Sequence, residues 1–317
     1  MKKTITIFLL LLITSCTASL QDYKNKPEDN SSIVSKLKNG KEYIHKTGFF
    51  NSIDKIELFE QSWTPKEESK TVLIIVHGLK DHSSRYEDFA KKMVEKGISV
   101  YSYDLRGHGK SKGYKVWIDS FNQYIDDLGL FYAKVKQKEG NKKMFIMGHS
   151  MGGAITTLFA MSKKPEIEGV ILSAPALKAG KDISEIKIGL VNFLSGAFPY
   201  LGLLELDDNS FSRDKNAVED MKKDPLIYHS NGPARTASEL IKALERINTN
   251  MIDFNYNFIT LHGTDDKITN IEGSEDLYKK AKSKNKKFLS YKDSYHDLLH
   301  EREKDKVFDD IYSWIKN

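Results

Sequence analysis

The sequence predicts an α/β fold with a mostly parallel central sheet, helices on both faces and an inserted helical cap. Three observations carry that prediction. Short continuous apolar runs alternate with helix-length amphipathic segments, the pattern of strands covered on both faces by crossover helices. Several runs end in small turn residues, as at His77-Gly78 and Ala174-Pro175. The rhythm then breaks once, between about residues 177 and 252, where helix-like apolar segments take its place.

In chain order, residues 53–63 (IDKIELFEQSW) alternate as a half-exposed antiparallel strand does. Residues 71–76 (TVLIIV) form a fully apolar run, expected of a buried strand. A helix over 86–96 turns Phe89, Met93 and Val94 inward, and 98–103 is a second buried strand. Ile118, Phe121, Ile125, Leu128, Tyr132 and Val135 follow steps of three and four, predicting one face of a long amphipathic helix. Strand 144–147, helix 150–162 and strand 170–173 lead to the break. Within it, apolar residues fall at 183–194, 198–204 and around 240–247. Strand 258–261, helix 272–282, strand 288–291 and helix 304–315 complete the chain. An insertion at that place caps the carboxyl ends of the strands, where open α/β sheets bind ligands. Some of its apolar residues must pack on the main domain, and the others either do the same or face lipid.

The chain has 317 residues, 39% hydrophobic and 29% charged, with 20 Gly and 7 Pro. This composition excludes collagen-like, low-complexity and wholly disordered classes. One cysteine excludes a disulfide framework and a Cys-based zinc site. The net charge is +5, but 43 of the 49 basic residues are Lys and 6 are Arg. Readers of nucleic acid lean on Arg for bidentate contacts, so this lysine is read as solvated surface and no nucleic-acid partner is expected.

Met1-Lys2-Lys3, the mostly apolar stretch 4–13 and Thr14-Ser15-Cys16 have the layout of a secretory signal peptide. The apolar run is too short to span about 30 Å of hydrocarbon. Ile13-Thr14-Ser15-Cys16 resembles the bacterial lipobox. The resemblance implies that Cys16 takes a diacylglyceryl group and becomes the new N-terminus, and two acyl chains suffice for stable anchoring. The expected organisation is a signal peptide over 1–15, a lipidated polar tether over 16–40 and a catalytic domain over 41–317. The expected location is the bacterial cell envelope, held by the lipid anchor. Thr17 after the cysteine resembles the outer-membrane sorting preference of Gram-negative bacteria.

Gly148-His149-Ser150-Met151-Gly152-Gly153 sits between a strand and a helix. Gly-x-Ser-x-Gly there is a nucleophile elbow: a sharp turn that lifts a serine hydroxyl clear of the sheet, with a helix N-terminus behind it for developing negative charge. His77-Gly78-Leu79 ends an earlier strand. In this architecture the backbone N–H groups of Leu79 and Met151 form an oxyanion hole. A serine nucleophile needs a base and a carboxylate to orient it, in chain order Ser, acid, His. Gly263-Thr264-Asp265-Asp266 follows one late strand and Tyr295-His296-Asp297 the last one. Only His296 and His300 lie late enough to be the base, and His296 is nearer the strand end.

The stretches 77–86 (HGLKDHSSRY), 104–111 (DLRGHGKS) and 148–153, together with Ser212-Arg213, Asp224-Pro225-Leu226 and 263–266, resemble the monoacylglycerol lipase family of serine α/β-hydrolases. That family is also described as lysophospholipase-like or serine-aminopeptidase-like. The resemblance covers about residues 45–315, in matching order. It implies the α/β-hydrolase fold, selects Asp266 as the acid and His296 as the base, and maps glycerol contacts to Asp81 and Arg85. Asp81 stands where the family more usually has glutamate. The 104–111 loop is expected to be structural. The implied activity is hydrolysis of monoacylglycerol to fatty acid and glycerol through an acyl-enzyme, with no metal and no organic cofactor. On the same triad, the alternatives are a lysophospholipase or broad carboxylesterase, and behind these a serine peptidase or acyltransferase. A non-catalytic binding protein would have no need for nucleophile, acid and base together.

Overall fold

The computed structural model describes residues 31–180 and 184–317. The expected signal peptide, Cys16 and the tether up to residue 30 lie outside the described residues.

The described chain opens on three strands, β1 (Ser32–Lys36), β2 (Glu42–Asn51) and β3 (Glu57–Pro65). Strands then alternate with helices: β4 (Thr71–Val76), α1 (Glu87–Glu95), β5 (Ile98–Tyr103), α2 (Asn122–Glu139), β6 (Lys143–His149), α3 (Met151–Lys163) and β7 (Gly169–Ser173). The cap supplies α4 (Glu185–Ala197), β8 (Gly202–Leu204), α5 (Lys215–Lys223), β9 (Gly232–Pro233) and α6 (Ala234–Asn250). The chain returns to the main domain in β10 (Phe258–Gly263), α7 (Ile271–Lys280), β11 (Lys286–Tyr291) and α8 (Lys304–Lys316).

Nine strands form one sheet in the order β1-β2-β3-β5-β4-β6-β7-β10-β11. The first four in that order pair antiparallel, and every pair from β5 to β11 is parallel. This is the expected α/β-hydrolase architecture. β4 shows why its sequence is apolar without alternation. Val72, Ile74 and Val76 pack with the residues of α2 and α3 on one face, whereas Leu73 and Ile75 pack with Phe89 of α1 and Phe308 of α8 on the other.

Two features differ from expectation at the N-terminal side. Residues 32–36, read as tether, form the sheet's edge strand, and 42–51 form β2, for which the sequence carried no prediction. β1 is mostly exposed, so no apolar pattern marks it. It is held by its main-chain ladder to β2, from Ser32 opposite Lys46 to Lys36 opposite Glu42. The helix expected from Ile118 begins instead at Asn122. Ile118 and Phe121 are still buried, but in the preceding loop, where the Gln123 side chain accepts a hydrogen bond from Asp119 N at 2.8 Å.

The cap's apolar residues divide between the core and the surface. On α6, Ala243, Leu244 and Ile247 enter the core against α3. α4 packs on α6 but leaves Ile186 85%, Leu190 56% and Phe193 65% exposed, with Phe198 and Tyr200 beyond its end exposed too. Among the described residues no helix is long and apolar enough to cross a membrane.

Candidate active site

The turn from β6 into α3 puts Ser150 at φ 54°, ψ −124°, a left-handed conformation that a non-glycine residue adopts only when its surroundings enforce it. The enforcement is close packing. A Cβ on Gly152 would fall 2.2 Å from the Val76 carbonyl oxygen, so only glycine lets α3 approach the end of β4. Ser150 N donates to the Ser173 carbonyl at 3.1 Å, and Gly153 N and Ala176 N both donate to the Ser150 carbonyl at 2.9 Å. With its backbone fixed in this way, the Ser150 hydroxyl has no hydrogen-bond partner among the described residues.

The 77–79 loop lies against this turn, with the position of a Gly78 Cβ only 3.0 Å from Ser150 Cβ. His77 holds the loop. Its Nε2 accepts from Leu105 N at 2.9 Å, which leaves Nδ1–H to donate to the Gly78 carbonyl at 2.8 Å. Burial lowers the His77 pKa, in keeping with the neutral ring those two bonds require. The main-chain N–H groups of Leu79 and Met151 have no acceptor among the described residues, though both residues are buried. Two unpaired donors beside a serine are what an oxyanion needs.

Asp266 and His296 meet as the resemblance implied. His296 Nδ1 donates to Asp266 Oδ2 at 2.8 Å, leaving Nε2 free to accept a proton. The other Asp266 oxygen, Oδ1, takes the N–H groups of Ile268 at 2.8 Å and Thr269 at 3.0 Å. Burial opposes the carboxylate's charge. The facing His296 ring and the nearby His262 outweigh it and hold Asp266 well below the usual carboxylate range. A Cβ on Gly263 would fall 2.2 Å from the Ser294 carbonyl, so this glycine lets the end of β10 touch the loop that carries His296. Asp265 points elsewhere, taking the Thr264 hydroxyl at 3.1 Å.

No hydrogen bond joins Ser150 to His296 in this structure, and in unliganded hydrolases that contact is often long and tightens only with substrate. The rings of His149 and His296 lie 4.7 Å apart, which brings the histidine to the serine's own turn. Burial and the neighbouring His296 lower His149 to about 4, so it stays neutral; its Nδ1–H donates to the Ser173 carbonyl at 3.1 Å. Phe211 of the cap packs edge-on to His296 at 5.6 Å, and its carbonyl accepts from Asp297 N at 2.7 Å.

Asp81 and Arg85 are close by but bound to each other. Arg85 Nη1 donates to Asp81 Oδ1 at 3.2 Å and its Nη2 to Asp297 Oδ2 at 2.8 Å. Asp81 also accepts from His82 N at 2.8 Å and the Tyr86 hydroxyl at 3.0 Å. Despite burial, Arg85 keeps the Asp81 carboxyl below its ordinary range. Both residues line a small cavity with Leu79, Phe211 and Tyr228. His300 faces Asp297 Oδ1 and the Arg85 carbonyl, each at 3.0 Å, and so belongs to this network and not to the serine. In the 104–111 loop, Asp104 accepts from Ser83 N at 2.7 Å, Ser83 Oγ at 2.6 Å and Lys110 N at 2.7 Å, which stitches two loops together.

Sequence reasoning passed over His262, excluded because it precedes the acid, although it lies only four residues away and its Nε2 is 3.1 Å from Asp266 Oδ2. It also passed over Phe211, whose place above His296 depends on the cap's path and has no local signature.

The family described as serine aminopeptidase, S33 (Hydrolase_4) matches residues 67–303, a span running from just before β4 to the end of the His296 loop. A monoacylglycerol lipase of Mycolicibacterium smegmatis is 27% identical over 266 residues, covering 84% of this chain and 95% of its own. The human monoglyceride lipase is 28% identical over 261 residues, covering 81% and 86%. A crystal structure of the Paleococcus ferrophilus monoacylglycerol lipase superposes with a TM-score of 0.74 at 27% identity, covering 82% of this chain and 98% of that one. With its elbow, its acid–base pair, its cap and the sheet from β4 to β11 all inside the matched span, the chain belongs to the serine aminopeptidase, S33 family of α/β-hydrolases.

Proposed function

We propose that this protein is a serine ester hydrolase that cleaves monoacylglycerols to fatty acid and glycerol at a lipid surface. The observation that carries the reading is the His296–Asp266 pair, buried and hydrogen-bonded, beside a strained elbow serine. Ser150 is the nucleophile, His296 the base and Asp266 the group that fixes the histidine's tautomer and stabilises its charged form. His296 Nε2 takes the Ser150 proton as Oγ attacks the ester carbonyl. The N–H groups of Leu79 and Met151 stabilise the oxyanion. His296 then returns the proton to the leaving glycerol oxygen. Water, activated by the same nitrogen, attacks the acyl-enzyme and releases the fatty acid.

The relatives named above as monoacylglycerol lipases support the substrate class, and the pairing of Asp81 with Arg85 supports a neutral head group. The charges of Asp81 and Arg85 are taken up within the protein, and three of about four acceptor sites on the Asp81 carboxylate are occupied. One lone pair remains for a glycerol hydroxyl. The bare apolar face of α4 supports contact with the lipid that carries the substrate. A diacylglyceryl anchor on Cys16, with residues 1–15 removed, would keep the enzyme on the bacterial envelope. Radiolabelled palmitate should enter the protein and fail to enter a Cys16→Ala variant.

The substrate test is fatty-acid release by the purified protein from monoacylglycerol, lysophosphatidylcholine and a short-chain ester. The reading expects kcat/KM highest for monoacylglycerol. Preference for the lysophospholipid would keep the triad and replace the substrate.

A further inference from the structure

We propose that Glu301 and Arg213 are positioning residues for the reaction: the buried Glu301 carboxylate clamps the cap segment 211–213 onto the loop that carries His296 and so fixes where the base stands. The inference rests on the triad reading above.

Glu301 lies just before α8, and its side chain is fully buried. A carboxylate offers about four acceptor sites, and here each is taken by an N–H. Oε1 accepts from Tyr295 N at 2.9 Å and from Arg213 N at 3.0 Å. Oε2 accepts from Arg213 Nε and Arg302 N, each at 3.1 Å. Two of these donors belong to the cap, and another to the residue immediately before His296. The charge is matched as well, because the Arg213 guanidinium is the cation in contact with Glu301. A buried carboxylate is tolerated only with such pairing. Arg213 Nη2 continues the seam to Ser294 Oγ at 3.1 Å and to Glu303.

Three more bonds run along the same seam. The Phe211 carbonyl accepts from Asp297 N at 2.7 Å, the Ser212 hydroxyl donates to the His300 carbonyl at 2.9 Å, and Arg302 Nη2 donates to the Arg213 carbonyl at 3.1 Å. From the opposite side, Asp265 N donates to the Ser294 carbonyl at 3.0 Å, next to the acid of the triad. Residues 294–297 are thus gripped between the end of β10 and the cap, with the Phe211 ring against the His296 imidazole. Neither Glu301 nor Arg213 touches the reacting atoms. The Asp266 bond sets the tautomer of His296, whereas the reach of Nε2 towards Ser150 follows from the path of residues 294–297. A misplacement of about 1 Å can cost about a hundredfold in rate.

The experiment measures kcat and KM on a soluble short-chain ester for Glu301→Gln, Arg213→Lys and Val307→Ala. Exhaustive labelling with an organophosphonate counts the competent sites, so that unfolded protein is discounted. Glu301→Gln turns an acceptor oxygen into an amide donor that faces other donors. It should lower kcat per site about tenfold to a hundredfold, with KM within about twofold. Arg213→Lys keeps the charge and the main-chain N–H but loses the guanidinium fork, and should lower kcat about three- to tenfold. Val307 is a core residue of α8 whose side chain makes none of these bonds. Val307→Ala should lower the melting temperature and leave kcat per site within about twofold. If Glu301→Gln does not fold, Arg213→Lys decides alone. An unchanged kcat per site in the Glu301 and Arg213 variants, a loss confined to KM, or an equal loss in Val307→Ala would overturn the inference. Activity retained by His296→Ala would overturn the triad reading together with it.

Discussion

The carboxyl end of the sheet and the outer face of the cap solve opposite problems. Around Ser150, backbone approaches backbone so closely that a single Cβ on Gly152 would sit 2.2 Å from a carbonyl oxygen, and the Asp266 carboxylate is surrounded by donors. On α4, Ile186, Leu190 and Phe193 face solvent, and a Cβ on Gly189 would meet nothing within 4 Å. The first region is held by a dense set of hydrogen bonds around a few groups unpaired among the described residues, the Ser150 hydroxyl and the N–H groups of Leu79 and Met151. The second has apolar surface with no partner among the described residues, which suits a face that meets lipid. The close-packed turn and the exposed apolar face thus sit on separate elements.

Substitutions can break this contrast at either end. Gly152→Ala should be the most damaging, costing about 3 kcal/mol or more because α3 has to back away from β4. Thermal unfolding and ester hydrolysis should both register the loss, and an unchanged melting temperature would show the approach to be looser than described.

Acid should act on the same region. Burial chiefly keeps His149 and His108 neutral, at about 4 and about 3, whereas the ordinary histidine value is about 6.5. Groups whose folded pKa is depressed give stability that is present above the unfolded value and lost as pH falls. Stability should therefore decline from about pH 6.5 downward, on the order of 2 kcal/mol per buried histidine by pH 5. Asp81 and Asp266, also held low, extend the loss below about pH 4. A melting temperature unchanged between pH 7 and pH 5 would contradict this.

The cap should behave otherwise. Phe193→Ser with Ile186→Ser should cut hydrolysis of monoacylglycerol in vesicles about tenfold, given the 1.5–3 kcal/mol that burying one such side chain is worth. Turnover of a water-soluble short ester should hold. Equal losses on both substrates would mean that the face serves packing and not lipid contact. At the small end, Gly189→Ala should stabilise α4 by up to about 1 kcal/mol, since it adds helix propensity and meets no neighbour.

The same contrast governs what the sequence disclosed. Strands β4 to β7 were legible because burial on both faces demands continuous apolar runs, and the elbow because only glycines fit its turn. β1 and β2 were not, since an exposed edge strand is held by main-chain pairing and carries no apolar signal. Among site residues, Asp266 and His296 stood at strand ends in the required order. His262 was set aside by that same rule of order, although folding brings its ring to 3.1 Å from Asp266 Oδ2. The Arg85–Asp297 bond joins residues 212 apart, a distance no local pattern reports.

The central claim is that one serine, held in that strained turn, carries the reaction. The most direct measurement is intact mass and peptide mapping after stoichiometric treatment with an organophosphonate, with monoacylglycerol hydrolysis followed in parallel. The account predicts a single adduct on Ser150 and activity lost in proportion to labelling. An adduct on another residue, or full hydrolysis by the labelled protein, would contradict it.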